Sequence, residues 1–159
     1  MKLYMRQKVF SWRDKFSITD ELGAEQYYAQ SEGFTFGKKL HLTDRDGNEL
    51  AFISEKVFSF VPRYYVCQNG QTIAEVVQEF SLFRPKYRID GLGWRIEGDV
   101  FDHNYVLFDA NGFEMASVSK VWLSWGDTYE IDISMVADPV IALAVVLVID
   151  AAIERRNNY

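Results

Sequence analysis

Two acidic turns come nearest to a metal site in this 159-residue chain. In LTDRDGNEL, Leu42 to Leu50, Asp44 and Asp46 precede Gly47, a fragment of the spacing used by calcium loops. The full EF-hand pattern also needs an acid where Leu42 stands and a glutamate where Ile53 stands. Asp109, Asn111 and Gly112 fail the same test. Both stretches therefore read as hairpin turns, for which Asp and Asn before Gly are suited, and no metal is expected. Nucleophilic catalysis needs a base beside a serine or cysteine, and His41 and His103 are the only histidines. His103 follows Asp102 in a polar stretch between strand candidates, and no G-x-S-x-G elbow accompanies it. Cys67, next to RYYV, reads as a buried inert thiol. GLGWRI, Gly91 to Ile96, lacks the third glycine and the following helix of a dinucleotide fingerprint. Neither a catalytic set nor a cofactor is expected, and a hydrolase-type activity ranks last among the functions considered.

Two further features could do chemistry. Asp150 follows the uninterrupted apolar run Pro139 to Ile149, eleven residues long. A buried carboxylate without a partner is costly, so Asp150 is expected near the mouth of whatever encloses the run. There it would accept hydrogen bonds from strand ends or pair with Arg155 or Arg156, fixing the depth of the helix. In FRPKYRI, Arg84, Lys86 and Arg88 alternate with Pro85, Tyr87 and Ile89, which on a strand puts three cations on one face. Arg63, with Lys38 and Lys39, could extend that face into a site for an anion such as a lipid head group. The plainer alternative is cross-strand pairing with the acidic stretch Glu97 to Asp138, nine acids against one lysine. The chain as a whole carries a net charge of −6, which disfavours a general affinity for nucleic acid or for anionic membrane and leaves only such local patches.

The elements that must position these residues are legible in the hydrophobic pattern. TYEIDISM alternates Tyr129, Ile131, Ile133 and Met135 with polar residues, and KFSIT, KYRID and WRIEGD repeat the alternation. Asp46-Gly47, Asn69-Gly70 and Asn111-Gly112 mark hairpins between such segments. A gapless internal repeat, offset by 65 residues, matches Leu42, Asp44, Gly47, Glu49, Ala51, Ser54, Ser59 and Tyr64 to Leu107, Asp109, Gly112, Glu114, Ala116, Ser119, Ser124 and Tyr129. Asp138 is suited to cap a helix and Pro139 to begin it, and the residues from Ala142 to Ile149 are apolar on every face. Eleven apolar residues fall short of the roughly 20 that span a bilayer. The expectation is one domain over 1–159: a mainly β fold, a closed antiparallel β-barrel of about twelve strands in about 1–136, enclosing a hydrophobic C-terminal α-helix over about 139–154.

The opening LYMRQKVFSWRDKFSI, the repeated D-x-x-G-x-E turns, IEGD at Ile96 to Asp99 and the apolar helix containing Asp150 together resemble the LURP-one-related family. That family is similar to the tubby C-terminal domain and the phospholipid scramblases, so the resemblance implies the same helix-filled barrel. For activity it implies little: plant members are linked to defence, tubby binds phosphoinositides, and scramblases are tied to membranes and calcium. Two functions from different classes stand. The first is a non-enzymatic scaffold that binds a protein partner or small ligand through its outer face, with Trp12, Trp94, Trp122 and Trp125 among its aromatics. The second is a membrane-surface module that holds anionic lipid head groups through Arg63, Arg84, Lys86 and Arg88. A lone cysteine and the lack of a signal-like N-terminus point to the cytoplasm, with peripheral membrane contact under the second reading.

Overall fold

The computed structural model describes residues 1–6, 15–33, 36–84, 86–123 and 126–157. Trp12 and Trp125 lie outside them. Twelve strands precede one helix: β1 (Lys2–Arg6), β2 (Lys15–Thr19), β3 (Glu25–Ser31), β4 (Lys39–Asp44), β5 (Glu49–Glu55), β6 (Arg63–Gln68), β7 (Gln71–Glu79), β8 (Lys86–Asp90), β9 (Arg95–Asp99), β10 (Asn104–Phe108), β11 (Glu114–Leu123), β12 (Gly126–Ile133) and α1 (Pro139–Asn157). KFSIT and KYRID, marked by period-two alternation, coincide with β2 and β8.

All twelve strands belong to one antiparallel sheet in the order β8-β7-β6-β5-β4-β3-β2-β1-β12-β11-β10-β9. The sheet curls until its two edges, β8 and β9, lie side by side, but no ladder joins them, so the barrel is nearly closed. Arg84 Nη1 donates to Asp99 Oδ2 at 2.6 Å, holding the start of β8 against the end of β9. Both edges present charged side chains outward: Lys86, Arg88 and Asp90 on one, Arg95, Glu97 and Asp99 on the other. Such charges discourage an edge strand from pairing with a foreign chain.

The helix fills the barrel. Asp138 Oδ1 accepts from the backbone N–H groups of Val140 at 2.9 Å and Ile141 at 3.2 Å, satisfying donors that a helix start leaves open. From Ala142 to Ile153 every residue is buried, which explains the missing polar face. The wall makes room by alternating small and large residues across neighbouring strands. Ala29 faces Leu42, which faces Ala51, and on the opposite wall Leu107 faces Ala116, which faces Ile133. Leu42 and Ala51 of the first row are the repeat equivalents of Leu107 and Ala116 of the second.

Antiparallel order sends alternate connections to opposite ends. The turns after β2, β4, β6, β8 and β10 lie at the end where α1 enters, and the connections after β1, β3, β5, β7, β9 and β11 lie where it finishes. At the turn end, Asp44 Oδ1 accepts from the N–H groups of Asp46 and Asn48, both at 2.9 Å, and Asp109 Oδ1 accepts from Asn111 and Phe113 at 2.8 and 2.9 Å. Both are hairpin turns with the aspartate spent on the backbone. Asp20, Gly23 and Glu25 form a third copy, in which Asp20 Oδ1 accepts from Leu22 and Ala24.

Three expectations need correction. Met135 does not continue the inward row of β12, because the strand ends at Ile133 and the chain turns toward Asp138, leaving Met135 fully exposed. Cys67 is only partly buried: Tyr64 and Val66 take the inward positions of β6, and Cys67 Sγ lies 3.4 Å from Thr72 Oγ1. The helix runs on to Asn157, three residues past its expected end.

Candidate functional site

The loop end of the barrel gathers the chemistry. Its inner layer is built on the last turns of α1. Asp150 is buried, and Arg155, one of the two arginines expected to pair with it, pairs instead with Glu55 on β5, while the side chain of Arg156 lies outside the described residues. Asp150 faces His103, on the β9–β10 connection, with Nδ1 3.6 Å from Oδ1, too long for a hydrogen bond. His103 takes a left-handed backbone conformation, φ 50°, which lets its ring turn inward and stack on Tyr129, with centroids 4.1 Å apart. Burial pushes the Asp150 carboxyl up to about 8, Glu154 one turn further adds to the rise, and Lys38 opposes it. Lys38 comes in from the β3–β4 connection and places Nζ 3.3 Å from both Glu154 Oε2 and the Ala151 carbonyl oxygen. Its own pKa is lowered by burial, against the pull of Glu154. Tyr64 and Tyr105, both buried, have hydroxyls whose pKa burial raises. The raised pKa favours the protonated form of Asp150 at neutral pH, and the His103 ring that faces it is stacked on Tyr129.

The outer layer of the same end is apolar and basic. Phe36 precedes β4, Phe58 and Phe60 sit on the β5–β6 loop, and Phe80, Leu82 and Phe83 sit on the β7–β8 loop, each at least 83% exposed. These loops are neighbours, since β3 to β8 are consecutive in the sheet. The Lys56 N–H donates to the Arg63 carbonyl at 2.8 Å, pinching the β5–β6 loop, and Phe58 at its tip has φ 62°. Gly37 fits against that loop because it has no Cβ: one would lie 3.0 Å from Val57 Cγ2 at a φ of 78° that favours glycine. The stretches KVFSFVPR, Lys56 to Arg63, and FSLFRPK, Phe80 to Lys86, hold four cations and no acid.

Lys86 and Arg88 share the outer face of β8, Arg63 and Arg88 flank Val77 in one cross-strand row, and Arg84 sits on the loop before β8. Arg88 is bound to Asp90 at 2.8 Å and Glu79 at 3.3 Å. Arg63 bonds Glu75 through Nη1, and its Nε has no partner among the described residues. Arg84 bonds Asp99, which belongs to the acidic stretch named as its alternative partner. Lys39 forms an ion pair with Glu32 at 3.6 Å, away from the others. The apolar tips were missed because phenylalanine in a β-rich sequence is normally core. Their Phe/Ser/Pro/Arg composition, poor in alternation, was the available signal.

On the outer wall, His41 is clamped between carboxylates, with Nδ1 2.5 Å from Glu49 Oε2 and Nε2 2.8 Å from Glu32 Oε1. Burial lowers its pKa, but the hydrogen bonds to Glu32 and Glu49 outweigh that and raise it. Both ring nitrogens are spent on opposite sides of the ring. Among the described residues no group of three His, Cys, Asp or Glu side chains is arranged to hold a metal ion. No described helix is long and apolar enough to cross a membrane.

Comparison with known proteins places this geometry among others. The family model described as LURP-one-related matches residues 1–150. The uncharacterized protein YxjI of Bacillus subtilis (strain 168) is 38% identical over 150 residues, covering 94% of this chain and 92% of that protein. The X-ray structure of a protein from Arabidopsis thaliana superposes with a TM-score of 0.65 over 94% of this chain and 90% of that one, at 17% identity, a likeness of fold.

Proposed function

The chain belongs to the LURP-one-related family, and on that premise we propose that it is a non-catalytic module that docks on membrane surfaces carrying anionic head groups, through the loop end of its barrel. One observation carries the reading: in a chain of net charge −6, two adjacent loops pair exposed phenylalanine and leucine with Lys56, Arg63, Arg84 and Lys86 and carry no acid. Cations within a Debye length of an anionic leaflet are each worth about 1 kcal/mol. Burying an exposed Phe or Leu side chain adds up to roughly 1.5–3 kcal/mol. Four of the first and a few of the second suffice for reversible binding. The pairs Arg84–Asp99 and Arg63–Glu75 do not stand in the way, since partly exposed ion pairs are individually weak and a phosphate can join them. Arg88, held by two carboxylates, has no part in this reading.

Flotation with phosphatidylcholine vesicles, with and without phosphatidylserine or a phosphoinositide, tests it at low and at physiological salt. The expected result is flotation only with anionic lipid, weakened by salt and abolished by the combined substitutions Lys56→Glu, Arg84→Glu and Lys86→Glu. Absence of flotation at low salt would sink the reading and redirect the search to a protein partner.

A further inference from the structure

The exposed tips share a pattern. Phe58-Ser59-Phe60 and Phe80-Ser81-Leu82 each place a small hydroxyl residue between two large apolar ones, at least one aromatic. These two triplets fall in the β5–β6 and β7–β8 connections, and the exposed Phe36 lies in the β3–β4 connection, all of which belong to the loop end. The β9–β10 connection at the same end carries Phe101-Asp102-His103, and its histidine is the one turned in toward Asp150. Position, not composition alone, sets these tips apart: Phe16-Ser17-Ile18 has the same make-up, but it lies inside β2 with Phe16 and Ile18 in the core.

We infer that the exposed tips Phe36, Phe58, Phe60, Phe80 and Leu82 form an insertion crown, on which the barrel stands end-on in a lipid bilayer with these tips below the head-group phosphates and Lys56, Arg63, Arg84 and Lys86 level with them. This rests on the membrane-docking reading and adds to it an orientation and a depth. The occupant is a bilayer because the exposed apolar tips lie on three loops, two of them bordered by cations and free of acids, which suits an apolar layer beneath anionic head groups. A fluid lipid layer accepts several independent aromatic tips, whereas a folded partner would need a matching socket for each. Aromatic rings just inside a ring of Lys and Arg are also the arrangement that membrane interfaces favour. The opposite end fits the water side: its turns carry Asp20, Glu21, Asp44, Asp46, Asp109 and Glu114, which an anionic leaflet repels.

The experiment places an environment-sensitive fluorophore on single cysteines in a Cys67→Ser background, at Phe36→Cys, Phe60→Cys and Leu82→Cys, with Leu22→Cys on the far turn as the control. Each labelled protein is bound to phosphatidylserine-containing vesicles whose acyl chains are brominated at a known depth. The expected result is blue-shifted, bromine-quenched emission from all three loop positions and none from position 22. Each Phe→Ser or Leu→Ser change at these positions is expected to weaken vesicle binding roughly tenfold with an unchanged melting temperature, as the side chains touch little in the free protein. Vesicles that float the protein while the loop labels stay unquenched would overturn insertion and leave head-group docking standing. If nothing floats, both fall.

Discussion

Asp150 shows how far a single residue could be understood before the fold was in view. Its placement near the barrel mouth follows from an apolar helix ending in one carboxylate, but its partners did not, because they come from the β9–β10 and β3–β4 connections, each more than forty residues away in the chain. Its carboxyl has a folded-state pKa of about 8 against an ordinary 3.8, so folding takes up a proton. The sign follows: the contribution to stability is complete below about pH 4, declines as pH rises, and is lost above about pH 8, where the buried group must ionise. Asp150→Asn keeps the shape without the charge. Urea unfolding at pH 5 and pH 9 should show the wild type losing several kcal/mol between the two and the Asn variant losing much less, which makes it the more stable protein at pH 9. Equal slopes for the two would mean that Asp150 does not hold a proton in the folded state. The four candidate cations were visible from their charge, yet their pairings were not, since Glu75 and Asp99 are recruited across strands.

At the scale of the element, alternation located β2 and β8 because each buries one face only. It located β9 less well. Trp94 and Ile96 are partly buried there, but Gly98 interrupts the pattern with φ 112°, a conformation that L residues avoid. A Cβ on Gly98 would lie 2.6 Å from the Asn104 carbonyl oxygen and 2.9 Å from Tyr105 Cα, so the β9 backbone can follow β10 this closely only with glycine. Gly98→Ala is expected to cost about 1–3 kcal/mol and to raise hydrogen exchange in β9 and β10 more than in β4 and β5. A uniform change across the sheet would show that the edge is not a separate unit. The aspartate turns illustrate the opposite limit. Two copies were legible as a repeat, whereas the third, Asp20 to Glu25, shares only three residues with them and became visible once its hydrogen bonds matched.

For the whole molecule, the repeat has a geometric meaning. β4-β5-β6 and β10-β11-β12 lie six places apart in a twelve-strand order, on opposite walls, so the helix meets the equivalent Tyr64 and Tyr129 from two sides. The architecture was legible because an all-apolar helix beside a dozen half-apolar strands has few other places to go. The apolar loop tips were not, because burial is a property of the assembled fold. A chain ending at Asp138 keeps every strand and loses the twelve consecutive buried residues from Ala142 to Ile153. It is expected to show no cooperative thermal transition and to bind a hydrophobic dye, while the separately added 139–157 peptide restores the transition only if strand pairing survives alone. The place of α1 in the chain also sets a timetable. At about 5–20 residues per second, its 19 residues take on the order of one to four seconds to make after the last strand. During synthesis every strand is therefore finished before the core exists, and the ribosome releases the wall of the barrel ahead of what it is built around.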